Sequence, residues 1–146
     1  MNLGLSTQAR AIVAALDEIP ALAAVGYLDD ENQMNASPAK MPAAWVALDK
    51  IERSERNETM AVATWAVVLR LKRLAGLVRP PDETPALDLV EAVIDKLHGK
   101  RLADHATPPV FVQAEYMEPL VESATYLIRF ESTIPTGRAL APCPNP

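Results

Sequence analysis

A long alternating segment between Thr59 and Lys72 constrains the fold of this chain more than any other stretch. Its odd positions form an unbroken apolar row: Ala61, Ala63, Trp65, Val67, Leu69 and Leu71. Because strand side chains alternate between faces, this row lies on one face of the strand and can form one side of a hydrophobic core. The even positions are mixed, from Met60 to Arg70, and are less polar than a solvated face. We therefore expect a central strand with a core on one side and partial cover on the other.

The length and composition favour one globular domain. A chain of 146 residues can bury about two-thirds of its unfolded surface. We expect a single domain over residues 1–134 and a flexible proline-rich tail at 135–146 that folding does not need. The formal net charge of -5 disfavours general nucleic-acid binding. The single cysteine, Cys143, excludes a disulfide within the chain and fits a reducing compartment. The chain lacks a signal peptide pattern and a transmembrane segment, so we expect a soluble cytoplasmic protein.

Two segments have the apolar periodicity of helices. The first covers residues 6–19, and Ser6 or Thr7 can cap its first turn by accepting a backbone N–H. The second covers residues 85–98, and Gly99 after it suits a left-handed cap. Each segment has one apolar stripe, so each helix is expected to pack on a sheet with that stripe.

Four further segments resemble strands. Residues 21–27 fit a short edge strand, and residues 42–48 fit a strand that begins with a proline. Residues 110–117 and 123–131 alternate in the manner of a terminal antiparallel hairpin. The sequence therefore predicts an α+β fold, with an antiparallel or mixed sheet of four to five strands and two helices on one face.

The most charged segment, residues 49–58, lies between two predicted strands. Its candidate docking residues carry both signs of charge: Lys50, Glu52, Arg53, Glu55 and Arg56. Mixed charge is typical of a solvated hairpin tip. Loops on rigid scaffolds also carry recognition, so the segment can equally be a finger that docks on a partner. The residues alone leave both interpretations open.

One basic cluster follows the central strand. It consists of Arg70, Lys72, Arg73 and Arg79. A solvated strand end is the favoured interpretation, because the chain as a whole is acidic. The alternative is a surface for an acidic partner, or the lining of a pore that carries DNA.

No catalytic constellation is present in the sequence. His98 and His105 are seven residues apart without a nearby cysteine, which is not a metal-binding spacing. His98 fits a helix end and His105 a polar loop. Trp45 and Trp65 lie on apolar strands, where core packing is the expected role. We expect neither catalysis nor a cofactor or metal.

The order of these elements, together with several short sequence motifs, resembles the pattern of one protein family. The motifs are Pro42-Ala43-Ala44-Trp45-Val46, Leu97-His98-Gly99 and Tyr126-Leu127-Ile128-Arg129-Phe130. Over roughly residues 5–134 the chain is similar to the tail terminator proteins of long-tailed bacteriophages and prophages, which include the minor tail protein U type and Mu-like relatives.

The resemblance implies a structural protein without catalysis. Such proteins form hexameric rings that cap the finished tail tube and later join the head. The implied partners are other copies of the chain, the tail tube protein and head–tail connector proteins, with no membrane or sequence-specific nucleic acid. The implied locations are the bacterial host cytoplasm during assembly and then the virion tail. Two alternatives stay open: another head–tail connector, such as a neck or head-completion protein, and a small oligomeric ligand-binding module or enzyme.

Overall fold

The computed structural model of the protein describes residues 3–28, 41–72, 85–120 and 123–136. In chain order the elements are α1 (Leu5–Asp17), β1 (Ala24–Tyr27), β2 (Ala43–Arg53), β3 (Met60–Lys72), α2 (Pro85–Leu97), β4 (Val110–Leu120) and β5 (Ser123–Pro135). Neither of these helices is long and apolar enough to cross a membrane.

The five strands form one mixed sheet in the order β1-β2-β3-β5-β4. β3 lies at its centre and pairs with β2 and β5 in antiparallel fashion, and β4 pairs with β5 in the same way. β1 is a short edge strand that runs parallel to β2. The α+β prediction is confirmed, and the sheet is of the mixed kind.

The core lies between the odd-numbered row of β3 and the two helices. All six residues of that row are buried, including Trp65 at 1% exposure. Ile12 and Leu16 of α1 and Val93 and Leu97 of α2 belong to the same buried cluster. Both helices therefore pack on one face of the sheet, as their single apolar stripes predict.

The opposite face of β3, called the second face below, is buried without a described helix upon it. Its buried residues are Thr64, Ala66, Val68 and Arg70. Val68 is paired with Trp45 of β2 on one side and with Leu127 of β5 on the other, so these larger side chains shield it from solvent. The cover expected from the sequence thus comes from adjacent strands. The core position expected for Trp45 was wrong, because this half-buried side chain lies on the second face.

The helix ends differ from the sequence prediction at α1. Its N-cap is Gly4, with φ 66° and no side-chain cap, so the prediction that Ser6 or Thr7 caps the helix was wrong. A Cβ atom at Gly4 would lie 2.6 Å from Nε2 of His105, so only glycine fits this approach. The left-handed cap predicted at Gly99 is confirmed, with φ 71°.

Polar contacts fasten α1 to the rest of the fold. Nε2 of the buried Gln8 donates to Oγ of Ser132 at 2.7 Å, and that hydroxyl donates to the carbonyl of Thr107 at 2.6 Å. At the other end of the helix, Nζ of Lys96 lies 2.6 Å from Oε2 of Glu18 and joins α2 to α1. Buried hydroxyl and amide groups need such partners, so the position of α1 depends on β5.

Candidate assembly surfaces

Half of the charged segment 49–58, called the finger below, is strand, and residues 54–58 form the turn. β2 continues past the predicted end at Leu48 as far as Arg53, and the strand register shifts between Leu48 and Lys50. The extra residue at this bulge is Asp49. All five candidate docking residues are exposed, and the structure brings them together at one end of the sheet.

The charges of the finger lie on different sides of the sheet. Lys50 and Glu52 are opposite second-face residues of β3, and their side chains form an ion pair at 3.3 Å. Arg53 is opposite Ala61 and lies on the helix-bearing side. Arg56 lies in the turn. Lys50 thus has Glu52 as an ion-pair partner, whereas the exposed Arg53 and Arg56 lie at the end of β2 and in the turn.

The tip of the finger is held by local hydrogen bonds. Oδ1 of Asn57 accepts the N–H of Thr59 at 3.0 Å, and Oγ of Ser54 accepts the N–H of Arg56 at 3.2 Å. The N–H of Thr136 donates to the carbonyl of Thr59 at 2.8 Å, so the end of β5 supports the turn as well. Such side-chain turns define the backbone of short connections. The finger therefore has a defined shape.

Of the predicted basic cluster, the structure describes the side chain of Arg70 alone, so the cluster stays a prediction. Arg70 is only 5% exposed, on the second face of β3. The backbone of Lys72 ends β3, whereas Arg73 and Arg79 lie outside the described residues.

An ion-pair network that the sequence analysis did not predict crosses the second face. Nε of Arg129 lies 3.1 Å from Oδ2 of Asp49, and its Nη1 lies 3.5 Å from Oε1 of Glu115. These residues come from β5, β2 and β4, and Ala66 of β3 lies between the first two strands. The bulge at Asp49 is invisible to a strict alternation pattern, which explains why this contact was not predicted.

A groove beside α1, called the α1 groove below, is a concave surface in the described part of the chain. Its volume is about 630 Å³. Apolar lining side chains are Leu5, Ala9, Val13, Leu48 and Trp65, joined by Tyr27 of β1. Arg10 and Asp17 add one charge of each sign. The Nε1–H of Trp65 is buried without an acceptor among the described residues, which is rare for a buried donor.

The outer strand β4 exposes apolar side chains. The β4 edge is defined here by Val110, Val112, Tyr116 and Met117, which are 37–52% exposed. In the described structure β4 pairs only with β5, so its other side presents unpaired backbone groups. One of them is satisfied locally, because the N–H of Phe111 donates to Nδ1 of His98 at 3.0 Å.

The two histidines have separate environments. His98 follows α2 directly, and its Nδ1 accepts the N–H of Phe111, whereas the half-buried His105 lies against Gly4. Within the described residues, no three His, Cys, Asp or Glu side chains are grouped to hold a metal ion.

In the described residues, a five-stranded mixed sheet with two helices on one face defines a small α+β domain. The model of the phage tail terminator protein family matches residues 2–136, so the chain belongs to that family. It is accordingly a structural protein of the phage tail and a component of the virion tail.

The fold is shared with a solved particle structure. A chain described as "Virion of native gene transfer agent (GTA) particle" superposes with a TM-score of 0.50 at 18% identity, covering 90% of this chain and 91% of that chain. At that identity the likeness concerns the fold. Comparison with curated proteins found no match.

Proposed function

We propose that this protein is a tail terminator: it forms a ring of six subunits that caps the tail tube and provides the surface to which the head is joined. The observation that carries the proposal is the family match over residues 2–136. The ring would assemble in the host cytoplasm and bind the tail tube protein on one side and head–tail connector proteins on the other. No step requires catalysis.

The fold is suited to such a ring. A cyclic ring uses heterologous contacts, in which two different patches of each subunit meet. The β4 edge lies at one end of the strand order and the α1 groove near the other, beside β1. The finger projects from a third region and stays available for a different partner.

The finger is proposed as the part that docks on the tube. Its charges add little to folding, since an exposed pair such as Lys50–Glu52 contributes about 0–1 kcal/mol. Charge patterns of this kind determine orientation and association rate, and salt weakens them. Arg53 and Arg56 would supply the positive charge that meets the tube.

The test is the double variant Arg53→Ser/Arg56→Ser, with Lys100→Ser/Arg101→Ser as a matched control. Both pairs are exposed, and both variants change the net charge equally. Folding is measured by circular dichroism, and tube length and head joining are measured by electron microscopy of assembling tails. We expect both variants to fold normally, and only the finger variant to leave tubes of uncontrolled length without heads.

Full activity of the finger variant would show that the finger is merely a solvated hairpin. Co-purification with capsid portals instead of tail tubes would favour the alternative of a neck or head-completion protein. The α1 groove is the observation that favours a ligand-binding module. Native mass spectrometry that finds one small molecule per subunit would support that alternative.

A further inference from the structure

The exposed apolar side chains of this protein are concentrated at two places. Seven large hydrophobic residues are exposed in the described part of the chain, and four of them form the β4 edge. A fifth, Tyr27, lies in the α1 groove. Along β4 these side chains lie on both faces: Val110 and Met117 on the second face, and Tyr116 on the helix-bearing face, where its ring packs against Tyr126. A strand with apolar exposure on both faces is suited to being covered by another protein.

These two surfaces lie at opposite ends of the sheet. The strand order places β4 at one edge and β1 at the other, and the groove is formed by α1, Tyr27 of β1 and the adjoining strands. A ring closes only if each subunit offers two different patches that face its two neighbours. The β4 edge and the α1 groove have the required separation.

The two surfaces also complement each other chemically. The lining of the groove is mostly apolar, and the described side chains exposed on β4 include apolar ones. Glu115 on β4 is already paired with Arg129, so covering this described carboxylate would not leave it without a partner. Arg10 and Asp17 bring one charge of each sign, so the groove has no net charge to oppose an apolar strand.

We propose that the α1 groove of one subunit receives the β4 edge of the next subunit around the ring. The inference rests on the proposed ring and names the two surfaces that build it. The groove volume of about 630 Å³ falls within the range of about 300–1,000 Å³ typical of pockets that bury apolar groups. Val112, which lies at a register shift of β4, and Tyr116 are the side chains that enter.

The first experiment fills the groove from its rim. Ala14 is an exposed residue of α1 that lines the groove, whereas Thr7 is an exposed residue of the same helix outside the lining. Light scattering of Ala14→Trp and of the control Thr7→Trp measures the oligomer, and circular dichroism confirms folding. We expect the control to form rings like the wild type, and Ala14→Trp to be a monomer at the same concentration.

The second experiment tests which surface meets which. Val112→Asp should also be a monomer, because a charge enters the apolar contact. Mixed in equal amounts, Ala14→Trp and Val112→Asp should form a 1:1 dimer without rings, since the first keeps an intact β4 edge and the second an intact groove. A homodimer of Val112→Asp, or no complex in the mixture, would contradict groove-to-edge contact.

The outcomes separate this inference from the ring itself. Rings that persist in folded Ala14→Trp would overturn the inference and leave the ring proposal standing. A wild-type protein that stays monomeric would overturn the ring proposal, and a fluorescein-labelled peptide of residues 110–117 would then decide the inference by anisotropy. Binding to the wild type and to Thr7→Trp, but not to Ala14→Trp, would support it. Absence of binding, or a small molecule that fills the groove in the purified protein, would refute it.

Discussion

Trp65 and Trp45 provide a direct test of the two faces of the central sheet. Trp65 is 1% exposed in the core, whereas Trp45 is half-buried on the second face. The same substitution, tryptophan to alanine, should therefore have different costs at the two positions. Trp65→Phe adds a third comparison, because it removes the ring N–H and keeps most of the apolar area.

The expected magnitudes follow from the burial of each ring. A buried tryptophan removes about 200 Å² from water, which corresponds to about 5 kcal/mol at 25 cal/mol per Å². A compact unfolded chain lowers this by about 10–40%. Removing the unsatisfied N–H of Trp65 returns about 1–3 kcal/mol. We therefore expect Trp65→Ala to cost about 3 kcal/mol, Trp45→Ala about 1–2 kcal/mol and Trp65→Phe less than about 1 kcal/mol.

Urea unfolding followed by circular dichroism measures these differences. The protein concentration must lie below that of any self-assembly, since association adds to apparent stability. A Trp65→Ala cost below about 1 kcal/mol, or one equal to that of Trp45→Ala, would refute the assignment of the core face. A Trp65→Phe cost as large as that of Trp65→Ala would show that the N–H has a partner.

Two further predictions concern α1. Gly4→Ala should cost about 1–3 kcal/mol, because the residue has a positive φ and its new Cβ would also clash with His105. Gly99→Ala should cost about 1 kcal/mol, because its φ is positive but nothing lies within 4 Å of the new Cβ. Equal costs in thermal unfolding would argue against the close approach of Gly4 to His105. Ser132→Ala should cost about 1–3 kcal/mol because it leaves the amide of buried Gln8 without its acceptor, and a cost near zero in urea unfolding would show that this contact is dispensable.

Alternation and periodicity predicted the parts of the fold in which burial is strongly one-sided. The odd row of β3 could be assigned because every member is apolar and one register shift would expose all of them. The second helix was equally clear, with Gly99 as its left-handed cap. The family was also recognisable, because the element order and several short sequence motifs agree with it over most of the chain.

The structural features that the sequence did not predict depend on contacts between residues that are distant in the chain. Trp45 was assigned to the wrong face because its strand is apolar on both sides and alternation cannot choose between them. The bulge at Asp49 extends β2 into a charged segment that looks like a loop, and Arg129 of β5 meets its carboxylate. The α1 groove requires the relative placement of a helix and a strand edge, which no local pattern contains.

The hydrogen bond between Gln8 and Ser132 also affects when the protein can fold. The two residues are 124 positions apart in the chain, so α1 cannot make this contact until Ser132 has been synthesised. β3 likewise lacks one of its two neighbours until β5 has left the ribosome. Contacts of such large sequence separation slow folding, because a long loop must close before they form. A nascent chain would therefore not present a finished groove or β4 edge before β5 has been synthesised.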